Sequence, residues 1–313
     1  MRGPAIAFGV LTGALIVSAR VVPWLEFVYI LALAKGFAAL GVAILLRAGL
    51  ISIGHALFFA FGAYLVALLG KGGTVVDLGT LVVVATFASA AVGLIVGAFV
   101  VRYRGIFFAM LNLAFSMVFF SLLAKLYSVT GGTDGLRVSM PAVFGMSFER
   151  ATLQAVLLYG SLLLMAGVGY FVQRFLTSPV GQALPAVEKN ELRLEYLGIS
   201  VRRVLLITYT LSAGLGGLGG ALTAFAVGHV LPEMSYWTLS GQLVLIAVLG
   251  GIGGVLGPFV GAVFFEVVHT LALDYVSAAW NLIIGAALIA VIFFLPGGLY
   301  SLVQRAARRR ASQ

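Results

Sequence analysis

The chain has 313 residues, 62% hydrophobic and 9% charged, with a mean hydropathy of +1.15. No soluble core can hide that apolar fraction, so the class is an all-α polytopic membrane protein, and no polar segment exceeds about 30 residues, too short for an appended soluble domain. There are no cysteines, which excludes disulfide and thiol chemistry, and the net charge of +9 sits at helix ends, where it orients a membrane protein rather than binding nucleic acid.

Apolar runs predict ten spans, roughly at 5–19, 27–46, 51–69, 78–101, 106–124, 153–172, 204–227, 240–256, 259–273 and 281–295. The first resembles a signal peptide, with Ser18-Ala19 at a cleavage-like place, but it reads as a retained helix because a second span follows at once. Lys35 falls near the middle of the second span. A cation there is costly and raises a functional question: it can attract a carboxylate substrate, pair with Glu266, or snorkel to an interface. Spans 51–69 and 240–273 are interrupted by glycine and are expected to be broken or re-entrant, which is tolerated only where protein or a cavity covers the freed backbone. At the first break, His55 either satisfies a freed backbone group or touches substrate. On the fifth span, Asn112 and Ser116 stand four apart and either bond to another helix or line a path. With Ser52, these residues make up the candidate substrate path.

The segment TGGTDG (130–135) is glycine-rich but has no strand before it and no Gly-Lys-Ser/Thr after it, so it is not a phosphate loop. Thr130, Gly131, Gly132 and Asp134 read as tight external turns. None of the four lysines fits a Walker A pattern, so any ATPase is a separate chain and no cofactor is expected in this one. The long polar loop 173–203 carries Glu188, Glu191 and Glu195 at spacings of three and four, which predicts one shared helix face. Leu192, Tyr196 and Ile199 form its apolar side, and Gly198 can end it in a left-handed cap. Such a helix fits a partner's groove, or else is a solvated loop with charge pairs.

On the ninth span, Glu266 and His269 share a face, as a proton relay or a structural hydrogen bond would require. The three histidines show no metal-ligand spacing. The basic tail within 297–313 fits contact with anionic lipid. Placing loop 173–203 inside puts thirteen of nineteen Lys and Arg inside, and leaves Arg20, Lys71, Lys125, Arg137 and Arg150 outside and Lys35 buried. Both termini are then cytoplasmic. Ten spans also divide into five and five, which permits an inverted repeat, with a weak echo between 52–64 and 240–254.

Four segments together resemble one family. They are GLISIGHALFFAFGAY (49–64), RGIFFAMLNLAFS (104–116) with TGGTDGL (130–136), the loop AVEKNELRLEYLGISVRRV (186–204) running into SAGLGGLGGAL, and VLGGIGGVLGPFVGA (248–262). In that order they are similar to the LivM-type permease subunits of branched-chain amino acid ABC transporters. The resemblance implies one permease domain over 1–313 in a bacterial or archaeal plasma membrane. It implies a related permease subunit as partner, in a heterodimer or a homodimer. Two ATPase subunits would bind ATP, and an external solute-binding protein would meet loops 126–150 and 228–239. It places Glu188, Glu191, Glu195 and Gly198 in the coupling segment that meets the ATPase. The chain departs from the family at Arg193 and Leu194, where small residues are common, at Ala43, where Asn is frequent, and at Asn112 and Met117. Relatives of this architecture also serve urea, short amides and aromatic acids. The rival from another class is a secondary transporter or channel built on Lys35, Glu266 and His269.

Overall fold

A computed structural model of the protein describes residues 2–22, 24–71, 77–143, 145–146, 148–275, 280–295 and 297–301. Arg305, Arg308, Arg309 and Arg310 of the basic tail lie outside them. The described chain is almost wholly helical. In order come α1 (Arg2–Val21), α2 (Trp24–Leu46), α3 (Ala56–Gly70), α4 (Leu78–Val100), α5 (Gly105–Lys125) and the single turn α6 (Tyr127–Thr130). They are followed by α7 (Arg150–Thr177), α8 (Pro179–Lys189), α9 (Glu191–Tyr196), α10 (Val201–Val227), α11 (Trp237–Gly250), α12 (Gly257–Tyr275) and α13 (Trp280–Phe294). Two-residue strands β1 (Leu136–Arg137) and β2 (His229–Val230) pair antiparallel, so the external loops expected around 126–150 and 228–239 meet.

A helix lies at each of the ten predicted places, but among the described residues only six helices are long and apolar enough to cross a bilayer alone. α3, α11 and α13 have 15, 14 and 15 residues. At about 1.5 Å per residue each spans roughly 22 Å, short of a hydrocarbon core of about 30 Å. Two boundaries are therefore corrected. The predicted span 51–69 becomes an irregular leg over 51–55 followed by α3, and the predicted span 240–256 ends at Gly250, with irregular chain before α12. The first break precedes its helix and the second follows its helix, so the two echoing segments are built in different orders.

α2 and α10 are the centre of the bundle. In their most apolar windows 89% and 78% of residues are buried, against 33% for α4 and 22% for α5, which leaves the latter two a wide face for lipid or a partner. α10 packs on α2, α3 and α4, and α12 packs on α2. Lipid tails are as apolar as Leu, so these helices gain by close packing rather than by leaving water, and small residues permit it. Gly220 of α10 is the tightest case: a Cβ added there would sit 1.8 Å from the Phe59 carbonyl oxygen of α3. Backbone cannot step aside as a side chain can. Gly220→Ala is expected to cost about 1–3 kcal/mol by overpacking. Thermal unfolding of the detergent-solubilised protein checks this, and an unchanged midpoint would refute the close-contact account.

Candidate coupling and transport site

The polar loop does not form one helix. Asn190 takes an extended conformation (φ −164°, ψ 96°), ends α8, and caps α9 by accepting a hydrogen bond from the Arg193 N–H at 3.1 Å. Asparagine is a strong N-cap because its side-chain oxygen satisfies a backbone donor that the helix leaves free. The expected common face of Glu188, Glu191 and Glu195 is therefore split, with Glu188 on α8 and the other two on α9. Gly198 does take the predicted left-handed conformation (φ 78°). Its N–H reaches the Glu195 carbonyl at 2.9 Å, and the Ile199 N–H reaches the Leu194 carbonyl at 3.0 Å, which closes the end of α9.

The apolar side of α9 also differs from the expectation. Leu194 is buried and Ile199 packs on the core, whereas Leu192, Tyr196 and Leu197 are exposed, Tyr196 to 90%. Thus Leu194 anchors the segment, and a separate apolar patch faces outward.

Two acidic residues tie this segment to the membrane helices. Glu191 pairs with Arg104, the residue before α5, and the Arg104 guanidinium also donates to the carbonyls of Val101 and Tyr103. Glu188 packs against Gly49, where a Cβ would lie 3.0 Å from its Cγ. Gly49 opens the irregular leg that carries Ser52 and His55, while Arg104 opens the helix that carries Asn112 and Ser116. Between the two legs lies an apolar cavity of about 420 Å³, lined by Gly49, Ile51 and Ile53 on one side and Ile106, Met110 and Leu113 on the other.

The candidate path residues lie behind those walls, all 2% exposed or less. His55 Nε2 donates to the Ser212 carbonyl at 3.0 Å, so the histidine serves a backbone group inside α10 rather than one freed by the break. Ser240 Oγ accepts from the Ala56 N–H at 2.9 Å, satisfying the first donor of α3. Asn112 joins three elements. Its Oδ1 accepts from Tyr209 at 2.6 Å and from Ser52 at 3.4 Å, and its Nδ2 donates to the Phe108 carbonyl at 2.8 Å. Ser116 donates to the Ser235 carbonyl at 2.7 Å. Tyr209, Ser212, Ser235 and Ser240 are the members that spacing alone could not find, since their partners lie on distant elements. In this conformation the network holds the broken leg to α5 and α10.

The segment 130–135 is built as turns. Gly131 and Gly132 have φ of 72° and 57°, and Thr130 donates to the Leu123 carbonyl at 2.6 Å. His229 Nε2 donates to the Asp134 carbonyl at 2.9 Å, tying this loop to β2.

Lys35 is paired. Its Nζ lies 2.5 Å from Glu266 Oε1, with the carboxylate side chain 3% exposed. Phe265 sits beside the ammonium at 5.9 Å and stacks on His269 at an interplanar angle of 13°. Of the open readings for Lys35, the structure gives pairing with Glu266.

A profile of the family described as branched-chain amino acid transport system / permease component matches residues 24–292. The high-affinity branched-chain amino acid transport system permease protein LivM of Salmonella typhimurium is 30% identical over 85% of this chain and 67% of its own length. LivM of Escherichia coli K12 is 30% identical over 80% of this chain, which spans 64% of that relative. LivH of the same strain is 27% identical over 53% of this chain and 57% of its own length. No solved structure matches. The matched region runs from α2 into α13 and takes in the tied loop, the broken legs and the packed glycines alike, and on that breadth the chain, a multi-pass membrane protein, belongs to the branched-chain amino acid transport system permease family.

Proposed function

We propose that the chain is the transmembrane permease subunit of an ATP-binding cassette importer for branched-chain or related amino acids. The observation that carries this reading is the two-pronged tie of the polar loop, Glu188 on Gly49 and Glu191 on Arg104, with an apolar patch of Leu192, Tyr196 and Leu197 left facing outward. An ATPase subunit docks on that patch. Its movement on binding ATP pulls the two legs that flank the apolar cavity, and the cavity changes shape between them. Ser52, His55, Asn112 and Ser116 are the polar residues uncovered along the path when the legs part. The apolar lining of the cavity suits an aliphatic side chain better than urea or a short amide.

The loop 173–203 and both termini are cytoplasmic in this reading, in a bacterial or archaeal inner membrane. A related permease subunit covers the wide exposed face of α5. An extracytoplasmic solute-binding protein meets the joined turns at Thr130 to Asp134. Purification from the native membrane in mild detergent is expected to bring down a stoichiometric P-loop ATPase, lost when Glu191 and Glu195 are both reversed to Lys. Purification of the chain without an ATPase in several mild detergents would overturn the reading and favour the secondary transporter.

A further inference from the structure

We propose that the external ends of α7 and α10 form a binding site for the headgroup of an anionic phospholipid. A cavity of about 520 Å³ lies there, apart from the polar network and from the cavity between the two legs. Its mouth is cationic. β1 and β2 set Arg137 directly opposite His229, and Arg150 enters from the first turn of α7. Arg150 is held in place, with Nη2 3.3 Å from the Val227 carbonyl oxygen and close against Gly228. A guanidinium has five donors in a planar fork, so one bond to a carbonyl leaves most of the fork for a ligand.

The lining beyond the mouth is mixed, with the polar side chains of Ser139 and Gln154 beside apolar ones. Leu153, Leu157 and Phe225 are buried around the cavity, and no acidic residue lines it among the described residues. Two arginines above buried Leu153, Leu157 and Phe225, with Ser139 and Gln154 able to donate beside them, suit an anion that carries an apolar chain. Arginine forks match phosphate oxygens two at a time, and the wall suits the glycerol and first methylenes. A zwitterionic amino acid fits less well, because its ammonium would find no carboxylate. α7 also has an exposed apolar face, which includes Leu163 at 75% exposure, about a third of the way around the helix from Leu157. Nothing in this proposal depends on how transport is driven.

The test is native mass spectrometry of the full chain, with whatever subunits copurify, released from nanodiscs of phosphatidylglycerol or of phosphatidylcholine. Phosphatidylglycerol is expected to stay bound, and phosphatidylcholine to be lost. The double variant Arg137→Gln/Arg150→Gln is expected to weaken retention about tenfold or more, the scale of one lost charge-assisted contact. The double Arg→Lys variant should keep part of the retention and so shows that charge, not folding, is read. Arg20→Gln should change nothing, because Arg20 is an external arginine outside the cavity, held on Tyr159. Equal retention of the two lipids, or of wild type and the double Gln variant, would overturn the proposal. So would displacement by millimolar inorganic phosphate, which would make the ligand a free anion. Loss of binding-protein docking in the double Gln variant with lipid retention unchanged would assign the arginines to a protein contact instead.

Discussion

Glu266→Ala is expected to destabilise the fold by about 3–5 kcal/mol, because it leaves the largely covered Lys35 ammonium in the middle of α2 without its counter-charge. Lys35 Nζ and Glu266 Oε1 are 2.5 Å apart between α2 and α12, and the carboxylate side chain is almost fully covered. Taking both charges out of water is itself expensive, so the pair as a whole adds little net stability; the cost lies in breaking it. That asymmetry gives a second expected result. The double variant Lys35→Met/Glu266→Leu should unfold within about 1.5 kcal/mol of wild type, since apolar residues of similar volume replace both members. Thermal unfolding in one detergent, with all three proteins compared, measures both. Transport by the double variant then separates the importer from its rival. An importer keeps transporting, whereas a secondary transporter that uses Lys35 and Glu266 for ion coupling stops. A Glu266→Ala protein as stable as wild type would refute the structural role assigned to the pair.

Reversing Arg104 to Glu is expected to leave stability almost unchanged and to cut ATP-driven transport about 5- to 150-fold, the usual range of a coupling free energy of 1–3 kcal/mol. The two expectations differ because the Arg104–Glu191 pair is a third exposed on each side. An ion pair in that setting stabilises by about 0.2–1 kcal/mol at most. Its value lies in position, since it joins α9 to the residue just before α5. Like charges at the joint push the two apart, so the ATPase moves the loop without moving the helix. Hydrolysis continues while transport falls. The swap Arg104→Glu/Glu191→Arg restores the attraction and should restore transport. Reconstituted vesicles with ATP hydrolysis and amino-acid uptake measured side by side decide it. Loss of uptake that the swap does not repair would count against a joint and for a local role of Arg104. Failure of the ATPase to bind at all would instead indict the docking surface.

The apolar runs were legible because hydrocarbon demands them, and the helices lie where those runs lie. The left-handed Gly198 was legible because a polar amphipathic stretch ended at it. Asn190 carried a readable signal as well, a strong capping residue three places before Arg193, but the regular spacing of the glutamates outweighed it and predicted a single face. Leu194 could not be recognised as the anchor, since a six-residue helix shows too little periodicity to say which side is inside. Tyr209 was hidden for another reason: its partner Asn112 is 97 positions away, and no local pattern links a phenol on one helix to an amide on another. The pairing of Arg137 with His229 rests on two-residue strands, below the length at which alternation can be seen. What the sequence hid was mostly contact between distant segments, and the polar network and the cationic mouth are made of little else.

The central place of α2 has a consequence for biosynthesis. It is made well before the helices that enclose it, α10 and α12, which follow much further along the chain. The order of synthesis thus runs against the order of burial. Until α12 arrives with Glu266, Lys35 stands in the bilayer as a bare cation, and the hydrocarbon resists it. A half-made chain is therefore held loosely, with α2 free to slide toward the surface, and it locks only when the late helices close around it. One charge pair thereby separates the closed bundle from a nascent chain that stops short of α12.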